Sequence, residues 1–232
     1  MINARTLATV ACGIVCLARG VDGQSLSQYR NFTLGSGVAS VAAIAGVDPA
    51  EAKTIHQRPA VLRELEWRPS RWVAGSSASS VDPVEEIRFS FYNDQLFRVV
   101  VDYGHERTEG MTAADMVEGI SSVYGAPLAR SARVAGRAAS PLEIESGSLV
   151  AGWGDGGHRV VLYQTSSYGA AYRLIVTDIR LDDLARKAGT QAGRLDDQEA
   201  PAREVARQKK ERDDARDAAA TARAANKGAF RP

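Results

Sequence analysis

Two runs of alternating hydrophobicity, joined by a dipeptide that turns the chain, limit the possible folds of this sequence more than any other feature. Ile87, Phe89 and Phe91 alternate with Glu86, Arg88 and Ser90; after Asn93-Asp94, Phe97, Val99, Val101 and Tyr103 alternate with Arg98, Val100 and Asp102. A period of two sends successive side chains to opposite faces of a strand, so the pattern predicts an antiparallel hairpin with one apolar face. Register adds a condition. Facing residues share a side of the sheet, and a plain two-residue turn would set Phe89 against Arg98. Placing Phe89 and Phe91 beside Val99 and Phe97 requires an odd-length loop or a bulge near the turn, with Leu96 half buried.

Other segments supply partners for this hairpin. Val61–Trp67 reads as a strand, and three more strands are expected around Leu149–Trp153, Arg159–Gln164 and Tyr172–Thr177, the last two joined by a turn over Ser166–Gly169. Helical signals stand between the strand groups. Ser36 is placed to cap a short helix carrying Val38, Val41, Ala42 and Ile44, which Gly46 ends. Asp48-Pro49-Ala50-Glu51 combines a cap, a proline at the first helical position and a carboxylate at the third, predicting a second helix and a helix–turn–helix corner. That second helix would offer a nucleic acid little beyond Lys53 and His56. Thr112-Ala113-Ala114-Asp115 opens another helix, with Met116, Val117, Ile120, Val123 and Tyr124 at helical spacing and Gly125 and Pro127 closing it. Gly75–Ser80 and Ala129–Ser140 read as loops. Leu181, Leu184, Ala188 and Leu195 share one side of a helix able to dock on the sheet. Past Pro201 the chain becomes charged and alanine-rich to Asn226, with Val205 almost its only large apolar residue. This predicts a solvated helix or a partly disordered tail, since a coiled coil would need repeated apolar anchors.

The address is written near the start. Arg5 precedes an apolar run, Leu7–Ala18, closed by Arg19, and Val21-Asp22-Gly23 has the small residues a signal peptidase reads. The run is shorter than the roughly 20 residues that span a bilayer, so a signal peptide cut after Gly23 is expected, leaving no transmembrane span in the mature chain. Both cysteines, Cys12 and Cys16, lie within the run. Bulky Val15 before Cys16 is a poor lipoprotein processing site, so the mature chain is expected to carry no thiols in a periplasmic or secreted location.

Familiar chemistry finds no foothold. Gly152, Gly154 and Gly157 satisfy G-x-G-x-x-G, but the strand-like His158–Leu162 follows where dinucleotide binding needs a helix N-terminus. The glycines are better read as a hairpin with Asp155-Gly156-Gly157 at its tip. His56, His105 and His158 stand far apart with no metal-ligand spacing, and no G-x-S-x-G or S-x-x-K presents a serine nucleophile. Glu85 and Glu86 fall on opposite faces of one strand, which disfavours a glycosidase pair. Neither a cofactor, a metal nor a catalytic residue is assigned. With a formal net charge of +1, no field attracts nucleic acid, and Arg130, Arg133 and Arg137 lack interleaved aromatics. Trp67, Trp72 and Trp153 suit a core or a stacking surface. Trp72, Arg98, Asp102 and His105 are the expected ligand or partner surface.

The order of elements, from Phe32-Thr33-Leu34-Gly35 and its helices through the Ile87–Tyr103 hairpin to Met111-Thr112 and Tyr124-Gly125-Ala126-Pro127, resembles exported bacterial proteins of the β-lactamase-inhibitor-like type. The small outer-membrane assembly lipoproteins share that topology. The resemblance covers residues 30–127, with room for a second copy to about residue 190. It implies a protein that binds other proteins and brings no catalytic residues to carry over. The expected architecture is therefore α+β, with helices on antiparallel sheet and possible αβββ halves at 24–127 and 128–195 between the leader at 1–23 and the charged tail at 196–232. The expected function is a non-enzymatic one at the envelope, engaging another protein through a sheet face or the charged tail. The alternative is a small-ligand binder or hydrolase whose site is assembled on the sheet.

Overall fold

A computed structural model describes residues 25–69, 82–129, 146–165, 169–229 and 231. The leader with its cysteines, Trp72, the 75–80 loop, Arg130, Arg133, Arg137 and most of the Ser166–Gly169 turn lie outside them. The chain opens with a two-stranded ribbon, β1 (Gln28–Tyr29) and β2 (Phe32–Thr33), then α1 (Val38–Ala45). Four strands follow as a meander: β3 (Lys53–His56), β4 (Leu62–Trp67), β5 (Val84–Tyr92) and β6 (Gln95–Gly104). After α2 (Ala113–Tyr124) comes a second meander, β7 (Ser148–Gly154), β8 (His158–Gln164) and β9 (Ala170–Asp178), and then α3 (Ile179–Ala229). The two meanders make one antiparallel sheet in the order β3-β4-β5-β6-β9-β8-β7, their last strands pairing at its centre. The protein is thus α+β, as its sequence pattern implies.

The β5–β6 hairpin meets the register condition with a bulge. Asn93 and Asp94 make a two-residue turn with φ of 45° and 64°, the left-handed conformation that matches strand twist. Phe89 faces Val99, but Phe91 faces Leu96, with the register shifting between Ser90 and Phe91. Leu96 is therefore fully buried, not half buried, because the bulge lets it take the inward place opposite Phe91. Phe97, the extra residue, packs instead with Leu181 and Ala185 of α3.

One sheet face carries the main core. Leu65, Ile87, Phe89, Val99, Val101, Trp153, Leu162 and Leu174 pack there against Val38, Val41 and Ala42 of α1, Met116 and Ile120 of α2, and Tyr29 and Phe32 of the ribbon. Trp153 fills this core and donates its Nε1–H to the Gly125 carbonyl at 2.9 Å. The opposite face, reached by the alternate residues, carries Arg88, Arg98, Asp102 and Arg173 together with the first turns of α3.

Two expectations near the N-terminus fail for the same local reason. Asp48-Pro49-Ala50-Glu51 does form a capping box, but over a single 3-10 turn, Pro49–Glu51. Lys53–His56 then extends as β3, taking the open backbone edge of β4, so the helix–turn–helix corner does not exist. Ser36 does not cap α1 either. Gly37 is the N-cap residue and has no side-chain cap; the missing acceptor comes from Asp94 in the distant hairpin turn, whose Oδ1 takes the Val38 N–H at 3.1 Å. Gly46 ends the helix in the left-handed conformation, as expected. The Thr112–Asp115 capping box of α2 and the Asp155–Gly157 hairpin tip also stand as read.

Candidate functional site

The residues first singled out are held apart by their own partners. Arg98 is ion-paired with Asp182 of α3, which is fully buried and also lies 3.3 Å from Arg186. Asp102, four residues along the same face of β6, accepts two hydrogen bonds from Arg173, at 2.6 and 2.8 Å, with Arg88 at 3.9 Å. His105 sits exposed in the 3-10 turn His105–Arg107 after the strand. Arg98 and Asp102 are engaged by different partners and His105 lies past the strand end, and no group of three or more His, Cys, Asp or Glu among the described residues is arranged to hold a metal. Arg98 instead ties the sheet to α3, while Asp102 belongs to a chain of charges running Arg68–Glu86–Arg88–Asp102–Arg173.

Two other places offer a surface beyond what the fold itself uses. The first is the far half of α3. Asp178 caps the helix start, its Oδ1 accepting the Leu181 N–H at 2.8 Å. Leu181, Ala185, Ala188 and Ala192 are buried, and the three alanines are small enough to let the helix lie close on the sheet. Arg58, between β3 and β4, is ion-paired with Glu199 at the last docked turn. Pro201 lies inside the helix, where its ring removes a backbone donor. Beside this proline Arg203 donates to the Asp196 carbonyl at 2.7 Å and to its carboxylate at 3.2 Å. From Pro201 to Ala229 every residue is exposed. At 1.5 Å per residue this half projects roughly 40 Å. It holds its shape through alanine propensity and pairs such as Glu204–Arg207 and Arg207–Glu211.

Its charges are sorted around the axis. Lys209, Arg212, Arg216, Arg223 and Lys227 follow spacings of three, four, seven and four, so they fall within roughly 60° of arc. Val205 begins the same line. None of these five cations pairs with a carboxylate among the described residues, whereas Glu204 and Glu211, on another side, are engaged by Arg207. Among the described residues no helix is long and apolar enough to cross a membrane.

The second place is a cavity of about 300 Å³ on the main-core side, between α2, β6, β9 and the ribbon. Tyr29, Tyr103, Met116, Ile120, Val123 and Leu174 line it. The Tyr29 and Tyr103 hydroxyls face each other at 3.5 Å, while Tyr124 donates to the Gln28 carbonyl at 2.8 Å. Burial raises the pKa of Tyr29 and Tyr124 and pushes Tyr103 well above the ordinary phenol value, so all three stay protonated at neutral pH. Arg30 lies 5.4 Å from the Tyr29 ring centre and is clamped by both oxygens of Asp82, at 2.6 and 2.7 Å. Burial would raise the Asp82 pKa, but this clamp and the Val84 N–H lower it below the usual carboxylate range.

The sequence marks the tail past Pro201 as a charged helix, but neither the cationic line along it nor the cavity is read from the sequence, and for different reasons. The three tyrosines come from a polar lead-in, a strand end and a helix end, which only the tertiary fold unites. The cationic line could have been found by asking for charge, and not only apolar residues, at heptad spacing. Comparison of the chain with protein-family models, with curated proteins and with solved structures returned no match.

Proposed function

We propose that this chain is an exported, non-enzymatic protein that engages an acidic surface of another protein through the projecting half of α3. One observation carries the reading: a helix anchored by its first half presents, on its second, a line of unpaired cations that the fold does not use. From Lys209 to Lys227 that line runs about 27 Å, the length of a partner helix of some five turns. A membrane surface is a poorer fit, because an interfacial helix needs a broad apolar face and this one has Val205 and alanines. A nucleic acid is also a poorer fit, because Asp213, Asp214 and Asp217 on the same turns would meet its phosphates. The export expectation rests on Leu7–Ala18 and the small residues to Gly23.

The test uses the mature chain, a variant ending at Ala200, and a variant with Lys209, Arg212, Arg216, Arg223 and Lys227 all changed to Gln. Each is cross-linked in the extracytoplasmic fraction of its source cells and the linked peptides are mapped. The proposal expects one acidic protein linked within 201–229 by the mature chain only, with yield falling as salt rises. Identical cross-linking by all three chains would sink it, as would recovery of the uncleaved chain from cytosol.

A further inference from the structure

We infer that the cavity beneath α2 is a binding site for a small, uncharged, largely apolar molecule carrying one hydroxyl or carbonyl group. Its volume of about 300 Å³ is at the lower end of ligand pockets, large enough for a single substituted ring. Met111, Met116, Ile120, Val123 and Leu174, together with tyrosine rings and Pro83, give it a largely apolar wall, which favours an apolar body. Met111 and Met116 give part of that wall an adaptable thioether surface that moulds to different ring shapes.

The polar handle is the Tyr29–Tyr103 pair. A phenol hydroxyl can donate one hydrogen bond and accept two. At 3.5 Å the two hydroxyls are at the long limit of a hydrogen bond, and although Tyr29 also accepts from Arg30, the Tyr103 hydroxyl has only this long contact. A ligand oxygen seated between them would supply shorter bonds to both. Charge on the ligand is disfavoured. The nearby cation, Arg30, already holds both Asp82 oxygens, so a carboxylate would enter an apolar chamber facing neutral phenols and the Asp115 carboxylate at its rim.

The entrance is at Gly119. This glycine lines the cavity, stands in the middle of α2, and a Cβ added there would meet no atom within 4 Å. Glycine weakens a helix interior relative to alanine. Its effect here is to leave the wall open between Asp115 and Val123, one turn to either side. This site is independent of α3, and its failure would leave the helix proposal untouched.

The experiment titrates the mature chain with 4-methylphenol, toluene and 4-methylbenzoate, following side-chain NMR signals of Met116 and Tyr103. Wild type should bind 4-methylphenol saturably with shifts centred on the cavity, toluene more weakly, and 4-methylbenzoate least. Tyr103→Phe should weaken 4-methylphenol about tenfold while leaving toluene unchanged. Gly119→Leu should abolish binding of both neutral probes with the far-ultraviolet spectrum and thermal midpoint retained. Non-saturable or scattered shifts, tighter binding of 4-methylbenzoate than of 4-methylphenol, or a folded Gly119→Leu chain that binds as wild type would each overturn the site.

Discussion

Replacing Asp182 with alanine should be among the most damaging single changes outside the main core. Its side chain is 1% exposed and serves two guanidinium groups, Arg98 and Arg186. Arginine cannot shed its proton to escape an unpaired position, so Asp182→Ala leaves a cation between the sheet and α3. Breaking a buried pair from one side costs about 3–5 kcal/mol. Arg98 retains 16% exposure of its side chain and Arg186 retains 39%, which lets water recover part of the loss. The lower end, about 3 kcal/mol, is therefore expected. At about 2–4 °C per kcal/mol for a chain of this size, the thermal midpoint should fall by about 6–12 °C. The decisive control removes both charges. Arg98→Met with Asp182→Leu replaces the pair by apolar groups beside Phe97 and Leu181, and should bring the midpoint back to within a few degrees of wild type. Calorimetry on the three chains reads this directly. A single variant that melts with wild type, or a double variant that melts as low as the single one, would refute the reasoning.

Asp94→Ala should cost about 1–2 kcal/mol, because it removes the acceptor for the α1 N-terminus and puts alanine at a positive φ; Asp94→Gly, which relieves only the second problem, should cost less, as urea midpoints will show. The raised phenol values of Tyr29, Tyr103 and Tyr124 mean that the folded chain keeps protons which an unfolded chain loses above about pH 10. Their stabilising effect is whole below that pH and is lost as pH rises through the folded values, so urea midpoints should fall between pH 9 and 11, less steeply in Tyr103→Phe. The lowered Asp82 value works in the opposite window: its contribution is present above about pH 4 and disappears as pH falls through the folded value, and Asp82→Asn should flatten that acid decline.

Alternation and capping made much of the fold legible. The pattern Ile87–Phe91 against Phe97–Tyr103 called for a bulge, and the bulge is there, yet which phenylalanine it would expel was not readable. That choice depends on α3, which offers Leu181 and Ala185 to Phe97 from far along the chain. Asp48–Glu51 shows the complementary limit. Its capping chemistry is intact, but a cap starts a helix without ensuring that it continues, and the free edge of β4 claimed Lys53–His56. For the sites the same division holds. Arg98 and Asp102 were correctly placed on one strand face, but the groups that neutralise them come from α3 and β9. The tyrosine cavity depends on three separate elements and left no local trace. The cationic line on α3 is wholly local and was hidden only because its members are charged.

Hydrogen–deuterium exchange along α3 tests most directly whether one helix has an anchored half and a free half. Amides from Leu181 to Ala192 should exchange as slowly as those of β6 and β9, whereas amides beyond Arg203 should exchange orders of magnitude faster, as in a self-supporting solvated helix. Uniform slow exchange to Ala229, or fast exchange throughout Leu181–Ala192, would contradict the account.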